Sequence, residues 1–415
     1  MPRLHRSCRR AHRRTDPAHR NRSPARPVRH PRPRALQLTA RASSAGPRFT
    51  WSQVHAFRLQ RHHLAGRAPK KDLARVVGDI GGVQAQLMSA AELQIAVRVD
   101  CSVEDVRKAL WNDRTLVKTW LMRGTLHLAR SSDLPFYTAS MGRRWVRVSN
   151  SWLKFWKITE PELWQLVDSI GAALGGRPMT REELIAKVGA GKSVELLEAL
   201  RSGWGGMLKP AARNGRLCFG PNRGQSVTFV NPREWLPAWE EADPEAGIVE
   251  MARRYLRVFG PATRLDFVRW WGAWPGVGNA AWSGLAGELT QVSIDGAPAD
   301  MLTADVEVLN RARLGESVHL LPLFDPYLLG YANRDHLVER VHASKVSRTA
   351  GWISAVVLVN GRVEGTWTHT TNKGRLQVVV VPFKRFHAGT TAQVRARARE
   401  IATALGAEKT EVRFG

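Results

Sequence analysis

Gln84 and Gln86, separated by one residue, are the side chains in this sequence whose chemistry is most worth following. On a helix, residues two apart diverge by about 200° and cannot share a target. In an extended segment they project to the same side. Gly81-Gly82 precedes the pair, and Ser89-Ala-Ala-Glu92, which has the form of a helix capping box, follows it. The reading is therefore an extended connector from Val83 to Met88. Two carboxamides on one side can donate and accept several hydrogen bonds. They could hold a water against a sugar and offer carbonyl oxygens to nearby positive charge. A bare Gln-x-Gln serves equally well as a solvated connector, and the spacing alone does not choose.

Other chemistries fall away on spacing. Gly191-Lys192-Ser193 looks like the end of a phosphate loop, but the glycine needed five residues before Gly191 is Ala186. His62 and His63 are adjacent and face apart on a helix, so they make poor joint metal ligands. The sequence contains no Gly-x-Ser-x-Gly elbow and no zinc-deaminase signature. Cys8, Cys101 and Cys218 are too sparse for a disulfide framework or a zinc site, which fits a reducing cytoplasm. Neither a metal nor a cofactor is expected.

The elements that must position the pair follow from periodicity. Thr50 or Ser52 can cap a first helix bearing Val54 and Phe57. Leu73, Val76, Val77, Ile80 and Val83 mark a second helix, and about Ser102 to Asn112 a further one. Thr115 to Met122 and Thr125 to Arg130 read as strands around Arg123-Gly124. Helices followed by a β-hairpin make the winged-helix pattern. The pattern recurs after the capping box Thr180-Arg-Glu-Glu183, with a hairpin around Pro221 to Gly224, and again after Gly260-Pro-Ala-Thr263, with a strand at Thr290 to Ile294. From Trp352 onward the chain reads as strands, with the type I′ signal Asn360-Gly361, then a helix over Thr391 to Leu405. The expected fold is α+β: three tandem winged-helix units at 48–172, 173–245 and 246–345, and a C-terminal β-meander with a helix at 346–415.

The net charge is +27, and 14 arginines against Asp16 alone crowd into residues 1–48. The rest of the chain still holds 49 basic and 35 acidic residues. Such an excess concentrates polyanions near the surface. Residues 1–47 have too few large apolar side chains to offset their ordering entropy and are expected to form a disordered tail without chemistry. Apolar runs such as Ile353 to Val359 are too short to span a bilayer. A cytoplasmic, nucleoid-associated monomer without membrane contact is expected.

Four stretches carry a resemblance. Ile80-Gly-Gly-Val-Gln-Ala-Gln86, Leu116 to His127, Leu321 to Gly330 followed by Arg334, and the Val359 to Trp367 hairpin together resemble the winged-helix DNA glycosylases of the AlkZ and YcaQ type. The resemblance runs from about Phe49 to the end. It implies a basic concave face for duplex DNA containing alkylated purines, with Gln84 and Gln86 as the catalytic pair. Gln86, where some members carry Asp, places the chain nearer the AlkZ branch, and Ala85 is smaller than the usual aliphatic. On this reading Gln86 positions the attacking water and Gln84 supports the sugar or the water. Alkylation at N7 makes a purine cationic and already a good leaving group, so a strong general acid is unnecessary. The same logic predicts no action on unmodified purines.

Lys118, Arg123, Arg143 and Arg144 are candidate phosphate contacts, with a solvated face as the alternative. His127 could reach the site or pack a wing. Asn360-Gly361 could probe a groove or form only a tight turn. Asp325, before Pro326, reads as a turn cap rather than a catalytic acid. Most of the 16 tryptophans read as core rather than as base-stacking surface. The competing readings are a non-catalytic winged-helix regulator and a basic architectural protein held to DNA by charge.

Overall fold

A computed structural model describes residues 46–415 apart from Trp204, so nearly all of the expected N-terminal tail lies outside the described residues. The architecture is mixed α+β. Leu73–Asp79, strand Val83–Gln84, Met88–Ala96, Val103–Trp111 and then strands Leu116–Trp120 and Leu126–Arg130 form a first set. Its three-stranded sheet has Leu126–Arg130 in the middle. The same order of elements recurs from Glu160–Ala173 through strand Met179–Thr180, helices Arg181–Val188 and Val194–Arg201, to strands Cys218–Arg223 and Ser226–Val230. Here too the last strand is central. In a third set, Pro244–Phe259, Arg264–Trp271 and Pro275–Gly284 lead into the hairpin Leu289–Ile294 and Ala297–Leu302, with Ala262 bridging to Asp300 in place of a short first strand.

Local sequence explains the helix starts. Thr50, Ser102, Thr159, Thr180 and Thr263 each cap a helix, reciprocated by the side chain three residues on. The expected cap at Ser89 does not form. The helix begins at Met88 after an uncapped Leu87, and Glu92 is instead engaged by Arg107, whose Nε donates to it at 2.7 Å.

Two long-range pairings redraw the expected boundaries, and a third closes the C-terminal sheet. Arg48–Phe49 adds a parallel strand to Leu289–Ile294, and the helix Trp51–Arg61 packs on Pro244–Phe259 and Val306–Arg311, so the start of the ordered chain completes the third set rather than the first. Phe49, Val54 and Phe57 share a core with Val292, Ile294 and Met301. Val318–Leu321 leaves the third region to become the edge of the C-terminal sheet, which continues through Val356–Val359, Arg362–Asn372 and Arg375–Pro382. A last strand, Lys409–Phe414, pairs in parallel with Arg375–Pro382 after the crossover helix Ala388–Ala404. Trp270 and Trp271 are buried in the largest apolar cluster, as the core reading expects. Among the described residues no helix is long and apolar enough to cross a membrane.

Candidate active site

Gly81 and Gly82, with φ of +74° and +84°, end the Leu73–Asp79 helix and turn the chain into extended backbone. A side chain at Gly82 would press on the Leu128 carbonyl oxygen at 3.0 Å and be strained by the positive φ, so the position favours glycine. Gln84 then stands opposite His127 on the central strand, and the Ala85 N–H donates to the Leu126 carbonyl at 2.7 Å. The segment is therefore extended, as the two glycines suggested. The two glutamines differ in environment. Gln84 is 7% exposed, whereas Gln86, beyond the last ladder bond, is open to solvent.

Arg123 fixes the buried amide. Its Nη2 donates to Gln84 Oε1 at 3.2 Å and its Nη1 to the Trp270 carbonyl at 2.6 Å. A guanidinium has no acceptor, so the amide oxygen must face it and the Gln84 Nε2 is directed elsewhere. Arg123 holds this position from the left-handed region, φ +56°, which only a tightly determined turn sustains. Burial, then repulsion from Arg334, lowers its pKa to about 10, which leaves it charged at neutral pH. Gln94 supports the same strand from behind: its Nε2 donates to the Gln84 carbonyl at 3.3 Å and to the Leu323 carbonyl at 2.8 Å.

His127 is 2% exposed, and Nδ1 lies 2.9 Å from the Thr125 carbonyl. Burial, then Arg123, lowers its pKa to about 3, so it is neutral and Nδ1 carries the donated proton. It supports the wing and has no surface to offer DNA, which corrects the expected contact role.

A family model, DNA glycosylase AlkZ-like, matches residues 77–404. The chain belongs to the AlkZ-like DNA glycosylase family. An interstrand DNA cross-link repair glycosylase from Streptomyces sahachiroi is 37% identical over 377 residues, covering 88% of this chain and 99% of the relative. The solved structure of the Streptomyces sahachiroi DNA glycosylase AlkZ superposes with a TM-score of 0.81 at 35% identity, covering 89% of this chain and all of that one.

The other expected contacts of this AlkZ-like chain are scattered. Lys118 is half-buried with its Nζ 5.5 Å from the Phe219 ring centroid, and burial lowers its pKa. Arg143 lies over Trp164 at 5.1 Å, and Arg144 pairs with Glu245 at 2.7 Å on the surface. Asn360 and Gly361 form the expected tight turn, with φ of +50° and +79°. The turn is anchored, however, rather than projecting. Asn360 Oδ1 accepts from the Ser317 N–H at 2.8 Å, the Gly361 carbonyl accepts from the Tyr327 hydroxyl at 3.1 Å, and a Cβ on Gly361 would lie 2.5 Å from His55. Gly361 is buried and cannot enter a groove. Asn360 itself is exposed, as is the next hairpin end, Asn372 to Arg375. Asp325 accepts from the Tyr327 N–H, the expected cap, and also takes a bidentate pair from Arg98 at 2.6 and 2.8 Å, both side chains fully buried. Sequence reasoning did not find the Arg123 to Gln84 bond or the Gln94 brace. Arg123 at least lies within the Leu116 to His127 stretch, whereas Gln94 lies outside all four stretches and nothing local singles it out.

Proposed function

We propose that this chain hydrolyses the N-glycosidic bond of N7-alkylated, cationic purines in duplex DNA as a monofunctional glycosylase, and that it unhooks interstrand crosslinks built on such lesions. The single observation that carries the reading is the pairing of a buried Gln84, its amide orientation set by Arg123, with a solvent-facing Gln86 two residues on. Both side chains are neutral. That suits a leaving group already activated by its own charge, where catalysis needs a placed water and oriented dipoles more than an acid. The Gln84 Nε2 donates to the sugar or to the water, and the Gln86 carbonyl accepts from the water and faces the developing oxocarbenium charge. This revises the expected use of both carbonyls, because Arg123 occupies that of Gln84.

The recurring helix–strand–helix–helix–hairpin order, with the last strand central in two of the sheets and Ala262 bridging to the last strand in the third, supports three winged-helix units as the scaffold. Lys118 and Arg143 are the proposed phosphate contacts on this scaffold, and the protein acts as a monomer in the cytoplasm. The name of the Streptomyces relative supports the crosslink assignment. Incubating the protein with N7-methylated duplex and with untreated duplex tests the function. The account expects alkali-labile abasic sites in the methylated DNA alone. Methylated DNA left intact, or abasic sites in both, would reject it.

A further inference from the structure

Two clefts of about 210 and 240 Å³ share Val146, Arg147 and Arg213 as a common wall. Arg147, Lys209 and Arg213 are the charged residues lining them, and no aspartate or glutamate does. None of these three side chains makes an ion pair or a hydrogen bond among the described residues, and Arg213 Nε is buried without a partner. Elsewhere the fully buried arginines have partners: Arg98 pairs with Asp325, and Arg58 donates to the Gly260 and Pro261 carbonyls. Burial lowers the pKa of Arg213, and burial together with Arg213 lowers that of Lys209, as for cations held close without a counterion.

Tryptophans stand among the aliphatic and small residues of the remaining walls. Trp145 and Trp274 have their indole N–H groups bound to the carbonyls of Pro244 and Trp145 at 3.0 and 3.2 Å, which fixes the ring planes. The Arg147 guanidinium lies 3.6 Å from the Trp274 ring centroid. The clefts open beside the turn that sets Gln84: a Cβ on Gly124 would sit 3.1 Å from the Arg213 guanidinium, and one on Gly272 would sit 2.7 Å from the Arg123 Cα.

We propose that this paired cleft binds one unpaired nucleotide of DNA, with its phosphate on Lys209 and Arg213 and its base against the Arg147–Trp274 face. Uncompensated cations call for an anion, and fixed indoles and a guanidinium plane call for a planar partner. The proposal rests on the glycosylase reading for the source of the nucleotide, a strand opened beside the lesion.

The test uses the full chain and a fluorescein-labelled, 5′-phosphorylated five-residue deoxyadenylate strand, followed by anisotropy. Inorganic phosphate and 5′-deoxyadenylate serve as competitors. The expected result is saturable binding that weakens about tenfold or more in the Lys209→Gln/Arg213→Gln variant, with deoxyadenylate competing far better than phosphate. Unchanged binding in the double variant would overturn the proposal. Equal competition by phosphate would overturn the base contact. Arg147→Gln, on a more exposed side chain, gives a second reading should the double variant not fold. Excision of N7-methylguanine is scored in parallel. Strand binding without excision retains the cleft and removes the glycosylase, and excision without strand binding does the reverse.

Discussion

Arg123→Ala removes the donor that sets the Gln84 amide and leaves two acceptors, Gln84 Oε1 and the Trp270 carbonyl, without their bonds. A hydrogen bond to a charged donor contributes about 1.5–3 kcal/mol. With Gln84 only 7% exposed, water cannot fully replace it. If the bond serves to hold the amide for reaction, most of that loss falls on the chemical step, about 10- to 100-fold in rate. The assay is single-turnover excision of N7-methylguanine from a duplex at saturating protein, with DNA affinity measured separately. A positioning role also predicts strong non-additivity with Gln84→Ala, because once Gln84 is truncated Arg123 has nothing left to orient. The double variant should excise about as fast as Gln84→Ala alone. Losses that multiply, or a defect confined to affinity, would show that Arg123 is only a phosphate contact.

Because both proposed catalytic groups are neutral and His127 titrates near 3, the single-turnover rate is expected to be flat from about pH 6 to 8.5; a bell-shaped profile would implicate an ionising group. The buried histidines predict acid sensitivity. His55 and His319 are lowered to about 3 and His336 to about 2, chiefly by burial, so the unfolded chain binds more protons below its own pKa near 6.5. Stability should be full above that value and fall as the pH drops toward 3; denaturant midpoints equal at pH 7 and pH 5 would contradict this. Asp325→Asn leaves Arg98 as a buried charge with a weakened partner and should lower unfolding stability by about 3–5 kcal/mol, measured by chemical denaturation; a near-neutral result would show that the pair is dispensable. Gly361→Ala forces a Cβ against His55 and should destabilise by about 1–3 kcal/mol without changing DNA affinity in folded protein, whereas a selective loss of affinity would restore the turn as a groove probe.

Much of the local structure was legible because it is written in short-range chemistry. The capping boxes at Thr180 and Thr263 announce their helices within four residues, and Asn360-Gly361 supplies the two positive φ values its hairpin needs. The bent connector carrying Gln84 was legible for the same reason, through Gly81 and Gly82. What could not be read depends on distant partners. Nothing local to Arg48-Phe49 indicates a strand waiting at Ser293-Ile294, and nothing in Lys409–Phe414 says it will pair in parallel across a helix. The Ser89 box failed because Arg107, from the following helix, competes for Glu92. His127 looked available by residue type, but its strand is central and closed on both sides. The Arg123 to Gln84 bond joins residues 39 apart and exists only once the sheet has formed.

The central claim is that two neutral amides drive excision, and its most direct measurement is the single-turnover release of N7-methylguanine by the Gln84→Ala/Gln86→Ala variant, with folding confirmed by its melting curve. The account predicts a rate lower by about 10²- to 10³-fold, the loss of a preorganised dipole and of the water's acceptor together. A folded double variant that releases the base at the wild-type rate would contradict it.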